Sequence, residues 1–201
     1  MLNAKIRTVW DKAMRPTGRT LHRWGIGANA ITLFGVAVTG VTAYLIIEGR
    51  LVAAGLVAIV AALADTVDGA VAKAAGVASK WGALLDSTAD RLSDALFFIP
   101  VAWLYGVSPD AAQADDRWVA ALALVTLVVS YLVSYIKARA EGLGYDCNVG
   151  IVERAERLIL MIIALVFYDI MPLVLGILAA LSLVTVVQRL VHVRRQARGD
   201  V

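Results

Sequence analysis

Six apolar blocks divide this chain, near positions 30–47, 51–72, 84–106, 118–138, 151–169 and 172–191. Each approaches the roughly 20 residues that carry an α-helix across about 30 Å of hydrocarbon. A soluble domain needs a polar surface, and a chain that is 60% hydrophobic, with a mean hydropathy of +0.77, could hardly supply one. The expected fold is therefore all-α and membrane-integral, with six transmembrane helices preceded by an amphipathic interfacial helix. We expect one domain over 1–201: an interfacial segment at 1–24, a six-helix bundle at 30–191 and a tail at 192–201. About 25 mostly polar residues precede the first block, which is long for the charged region of a cleavable signal. The sole cysteine, Cys147, excludes an internal disulfide framework.

Lysine and arginine orient the spans. Lys5, Arg7, Lys12, Arg15, Arg19 and Arg23 precede the first; Lys73 and Lys80 lie between the second and third. Lys137, Arg139, Arg154 and Arg157 flank the link between the fourth and fifth, and Arg189, Arg194, Arg195 and Arg198 close the chain. The opposite loops offer only Arg50 and Arg117. The positive-inside rule puts both termini, and the loops after spans two and four, in the cytoplasm of an inner cell membrane. Ahead of the first span, Ile6, Val9, Trp10 and Met14 share one helical face among cations, as in a helix lying in the interface. The basic residues follow this topology, and no nucleic-acid partner is expected.

Four aspartates break the apolar pattern in "DTVDGAVAKAAGVASKWGALLDSTAD" (65–90). Asp65, Asp68, Gly69 and Ala72 share one helical face; Gly82, Asp86 and Asp90 share another. A short link makes the two helices antiparallel neighbours, so the carboxylates can meet. An ionised carboxylate costs about 2.5–3.5 kcal/mol at the centre of a membrane helix, and gathered carboxylates also repel one another. One or two bound divalent cations relieve both costs. An all-oxygen set without histidine or cysteine favours Mg²⁺, Mn²⁺ or Ca²⁺ over zinc. Capping or pairing with Lys73, Lys80 and Arg91 would explain one or two of the four. Asp94 continues the stripe and is expected to pair with Arg91 or to pack as a polar residue. His22 and His192 have no partners at ligand spacing.

The residues Asp65, Asp68, Gly69, Ala72, Gly82, Asp86 and Asp90 stand in the pattern D-x2-D-G-x2-A-R-x8-G-x3-D-x3-D, with Lys73 in place of the arginine. This resembles the signature of the CDP-alcohol phosphotransferases, membrane enzymes that pass the phosphatidyl group of a CDP-linked lipid to an alcohol and release CMP. The resemblance implies that Asp65, Asp68 and Asp86 ligate one metal and that Asp65, Asp86 and Asp90 ligate a second. It implies Mg²⁺ as cofactor, with Mn²⁺ as an alternative, and Asp90 as the base that deprotonates the acceptor hydroxyl. Gly69, Lys73 and Ser79 fall where the family contacts CDP-diacylglycerol. So do Ala28, Asn29, Ala30 and Ile31, similar to a P-N-x-[IV]-T stretch with alanine for proline. A homodimer follows from the family, and many small residues permit close helix packing.

The acceptor is read from cytoplasmic cations. A phosphorylated alcohol needs charge-assisted hydrogen bonds, while lone cations there can simply anchor helix ends to anionic headgroups. "SYIKARAEGLG" is similar to the actinobacterial phosphatidylinositol phosphate synthases, which implies that Lys137, Arg139, Arg154, Arg157 and Arg194 or Arg195 bind the phosphate of inositol phosphate. Glycerol 3-phosphate is the alternative acceptor. A divalent-metal or proton-coupled transporter is the alternative of another class, since intramembrane carboxylates also mark ion paths.

Overall fold

A computed structural model describes residues 20–21, 23–75, 79–107 and 117–199; the side chains of residues 68, 70 and 72–75 lie outside the description. The expected interfacial helix falls almost wholly outside it, as does His22. Among the described residues the elements are helical: α1 (Ala28–Ile47), α2 (Leu51–Ala75), α3 (Lys80–Gly106), α4 (Arg117–Gly142), α5 (Arg154–Val166), a 3₁₀ turn (Tyr168–Ile170) and α6 (Met171–Ala197). The chain divides into two compact units, Met1–Val41 with Val57–Ser93 and Thr42–Leu56 with Asp94–Val201.

Among the described residues, three stretches are long and apolar enough to cross a membrane: Ala28–Ile47, Arg117–Gly142 and Tyr168–Ala197. A shorter apolar helix covers Leu51–Val67. Large apolar side chains such as Leu33, Phe34, Val128 and Leu173 face outward, where hydrocarbon rather than water suits them. Between helices in lipid, close packing and hydrogen bonds replace the hydrophobic effect as the attraction. The buried positions are accordingly rich in small residues, among them Ala54, Ala58, Ala123, Ser130, Ala164 and Ser182. In the first unit Ile31, Ala64 and Val71 form a core flanked by Leu21, Ile26 and Val67. In the second, α4 packs along α6, and Thr126 Oγ1 lies 2.8 Å from Leu122 O and 3.3 Å from Leu175 O, its hydroxyl donating across the helix pair.

The helix ends are set by backbone chemistry. At the end of α1, Arg50 N–H donates to Leu45 O (2.9 Å) and Gly49 N–H to Ile46 O (3.0 Å). Gly49 closes this cap at φ +70°, a left-handed conformation that costs glycine nothing in Cβ contacts. Gly144 ends α4 in the same manner.

The fifth apolar block differs most from expectation. The sequence reading places a span over 151–169, yet α5 holds only 13 residues, from Arg154 to Val166. Ile151 and Val152 are apolar but not helical. Their N–H groups donate to Thr185 Oγ1 at 3.2 and 3.3 Å, so α6 holds them out of the helix. Glu156 Oε2 then accepts from Glu153 N–H at 3.0 Å and closes the helix start.

Candidate active site

The first unit brings three of the four sequence-predicted aspartates together. α2 carries Asp65; α3 carries Asp86 and Asp90 one turn apart. One carboxylate oxygen from each lies within 4.8 Å of the other two. Asp86 is exposed, while Asp65 and Asp90 are half-buried. Asp68 lies one turn beyond Asp65 on α2, with its side chain outside the described residues. Arg91 Nη2 lies 3.1 Å from Asp90 Oδ2 and offsets part of the negative charge.

Hard oxygen donors from two helices, without sulfur or nitrogen, are the donor chemistry of Mg²⁺ or Mn²⁺. The residues present therefore fit a divalent metal. Such a cation, when bound, supplies positive charge to a phosphoryl group and its leaving oxygen.

Two of the predicted donor-contact residues, Ser79 and Asn29, meet at the start of α3. Ser79 Oγ accepts from Gly82 N–H at 2.9 Å and caps the helix. A Cβ at Gly82 would lie 3.0 Å from Ser79 Oγ and 3.4 Å from Asn29 Oδ1, so Asn29 of α1 reaches this same turn. Ile31 is buried in the unit's core. With Ala30, Phe34, Leu63 and Val67 it also lines an apolar groove of about 410 Å³. Gly69 sits on α2, exposed; the side chain of Lys73 lies outside the description.

The predicted acceptor cations belong to the second unit and separate into exposed and buried sets. Lys137 Nζ donates to Asn148 Oδ1 (3.0 Å) and lies 3.8 Å from Glu141. Asn148 Nδ2 in turn donates to Asp146 Oδ1 at 2.6 Å. Arg139, Arg194 and Arg195 are exposed and Arg154 is half-buried. Arg157 is 2% exposed and forms an ion pair with Asp94, Nη2 to Oδ2 at 2.7 Å. The partner of Asp94 is thus Arg157 on α5, while Arg91 pairs with Asp90.

Sequence reasoning missed Arg189, which it counted only toward topology. Arg189 is 3% exposed. Its Nε donates to Val149 O at 2.9 Å, its Nη1 to Val133 O, and its Nη2 lies 4.0 Å from Glu153 Oε1. It stitches α4, α6 and the 149–153 segment together. Its position between Gln188 and Leu190, inside an otherwise apolar helix, was the available signal. Gln196 adds a second tie, accepting from Asp146 N–H (3.0 Å) and donating to Asp146 O (2.6 Å).

With this geometry the chain can be set beside known proteins. The model of the CDP-alcohol phosphatidyltransferase family matches residues 26–188, and the chain belongs to that family. It is 39% identical to a phosphatidylinositol phosphate synthase of Corynebacterium glutamicum, over 89% of this chain and 82% of the other. Among solved structures it resembles Mycobacterium tuberculosis phosphatidylinositol phosphate synthase with CDP-DAG bound. The TM-score is 0.80 at 33% identity, covering 90% of this chain and 94% of that one. The same enzyme in complex with manganese and citrate gives a TM-score of 0.80 at 33% identity, over 90% and 88% of the two chains.

Proposed function

We propose that this protein is a membrane phosphatidyltransferase that moves the phosphatidyl group of CDP-diacylglycerol to inositol phosphate, yielding phosphatidylinositol phosphate and CMP. The observation that carries the reading is the convergence of Asp65, Asp86 and Asp90 from two helices, in a chain whose family and named relatives use this chemistry.

In this reading Asp65, Asp68, Asp86 and Asp90 hold Mg²⁺ or Mn²⁺, two ions per site as the family resemblance implies. Asn29, Gly69, Lys73 and Ser79 hold the nucleotide and pyrophosphate of the donor, with Ala28, Ala30 and Ile31 beside them. The apolar groove lined by Ala30, Ile31 and Phe34 suits donor hydrocarbon. Asp90 accepts the proton of the acceptor hydroxyl as its oxygen forms a bond to the phosphorus that bears diacylglycerol. The bond from that phosphorus to the bridging oxygen breaks, and CMP leaves with the electron pair. Arg91 holds Asp90 by its side-chain pairing.

Lys137, Arg139, Arg154, Arg157, Arg194 and Arg195 are the candidate partners of the acceptor's phosphate. Arg189, tied to Val133 O and Val149 O, supports this cluster by holding the 149–153 segment beside α4 and α6. The membrane reading extends to six spans with an interfacial N-terminal helix, one domain, both termini and the site on the cytoplasmic side, and a homodimer. The three long apolar helices support it in outline.

The test is purified protein with CDP-diacylglycerol, Mg²⁺ and either inositol phosphate or glycerol 3-phosphate, following CMP and lipid product. We expect product with inositol phosphate, lost on chelation. Product with glycerol 3-phosphate alone would overturn the acceptor assignment.

A further inference from the structure

The aspartate stripe of α3 does not end at Asp90. Asp94, one turn on, is 7% exposed and is the partner of Arg157. Arg157 is the largest fully buried side chain among the described residues. A buried ion pair is weak evidence of stabilisation, since well-packed apolar residues often replace such pairs at no cost. Its geometry says more. Asp94 holds Nη2 of the guanidinium at 2.7 Å. The Nε–H of Arg157, also buried, meets no acceptor among the described residues. Arginine is planar and rigid in its donor fork, so pinning one N–H fixes the direction of the others. A buried cationic donor left without a partner calls for an acceptor.

We propose that Asp94 is a positioning residue for the acceptor. Its carboxylate orients Arg157 so that a remaining N–H donates to the acceptor's phosphate. The proposal rests on the assignment of Arg157 to acceptor binding.

The experiment compares Asp94→Asn, Arg157→Gln and the double variant, each purified and folded, measuring KM separately for inositol phosphate and CDP-diacylglycerol. Asp94→Asn keeps size and one acceptor oxygen but loses the charge. Its expected effect is a rise of about tenfold or more in the KM for inositol phosphate, the scale of one charge-assisted hydrogen bond. The KM for CDP-diacylglycerol should stay within about twofold. In the Arg157→Gln background, Asp94→Asn should add nothing further. An equal change in both KM values, or none, overturns the positioning role. An unchanged acceptor KM in Arg157→Gln instead overturns the acceptor assignment of Arg157 itself. Should Asp94→Asn alone fail to fold, the neutral double variant decides against Arg157→Gln: equal acceptor KM values support the proposal, and a further rise in the double variant sinks it.

Discussion

Gly150 offers a way to perturb the 149–153 segment without substituting a charged residue, although a Cβ there would also lie 3.7 Å from Nε and Nη2 of Arg189. Gly150 holds φ +145°, and a Cβ there would lie 2.6 Å from Thr185 Cγ2. Thr185 is poorly placed to turn away. Its hydroxyl accepts from Ile151 and Val152 N–H and lies 2.9 Å from Leu181 O, to which it donates, so its χ1 is tied at three points. Gly150→Ala therefore meets two costs. A backbone conformation that alanine seldom adopts costs of order 1–3 kcal/mol, and overpacking typically adds about 1–3 kcal/mol. Their sum, about 2–6 kcal/mol, corresponds to a fall of at least about 4 °C in apparent Tm for a chain of this size. Gly144→Ala is the control. It has φ +87° but nothing within 4 Å of the added Cβ, so it should suffer only the backbone cost. Thr185→Ser keeps the hydroxyl and removes Cγ2, and combined with Gly150→Ala it should recover the overpacking share. Thermal unfolding of the detergent-purified proteins, followed by tryptophan fluorescence, reads all four variants. If Gly150→Ala melts no lower than Gly144→Ala, or if Thr185→Ser returns nothing, the clash argument is wrong.

Three further outcomes follow from the site. Asp90→Asn should retain donor binding but lose turnover by orders of magnitude, because the proton acceptor is gone; near-normal turnover would remove Asp90 from that role. Lys137→Ala or Arg154→Ala should raise the KM for inositol phosphate roughly ten- to a hundredfold while leaving that for CDP-diacylglycerol nearly unchanged; equal effects on both would return these cations to headgroup anchoring. Cys147 lies in the loop after α4, and burial pushes its thiol pKa up, against the opposing pull of Arg189. A raised folded pKa means this group's share of stability is complete below the ordinary thiol pKa of about 8.5 and wanes as pH climbs past it. Maleimide should accordingly label Cys147 far more slowly in the native protein at pH 8 than in denaturant, and equal rates would contradict its burial.

Block length in the sequence foretold where most helices lie, because the bilayer demands about 20 apolar residues of any helical span. It misplaced the start of α5, since Ile151 and Val152 look like span residues while their N–H groups belong to Thr185. Hydropathy does not register a hydrogen bond to a distant helix. The convergence of Asp65, Asp86 and Asp90 was legible because helical periodicity and a short link leave few alternatives. The partner of Asp94 was not legible, as the pair joins residues 63 apart in sequence. Local reasoning offered Arg91 instead, three residues away. Arg189 counted only toward topology for a comparable reason: only the folded chain shows its two carbonyl partners, Val133 and Val149.

The pairing of Asp94 with Arg157 also has a consequence in time. A ribosome adds about 5–20 residues per second, so the 63 residues between the two take roughly 3–13 s to synthesise at that rate. Throughout that interval α3 exists with Asp86, Asp90 and Asp94 while the arginine that answers Asp94 has not been made. A nascent α3 must wait in a hydrated or chaperoned setting until α5 arrives. Biogenesis of this chain is thus ordered from within: the docking of α5 is a late step, and a ribosome stalled before Arg157 holds 156 of the 201 residues, with Asp94 still lacking its partner.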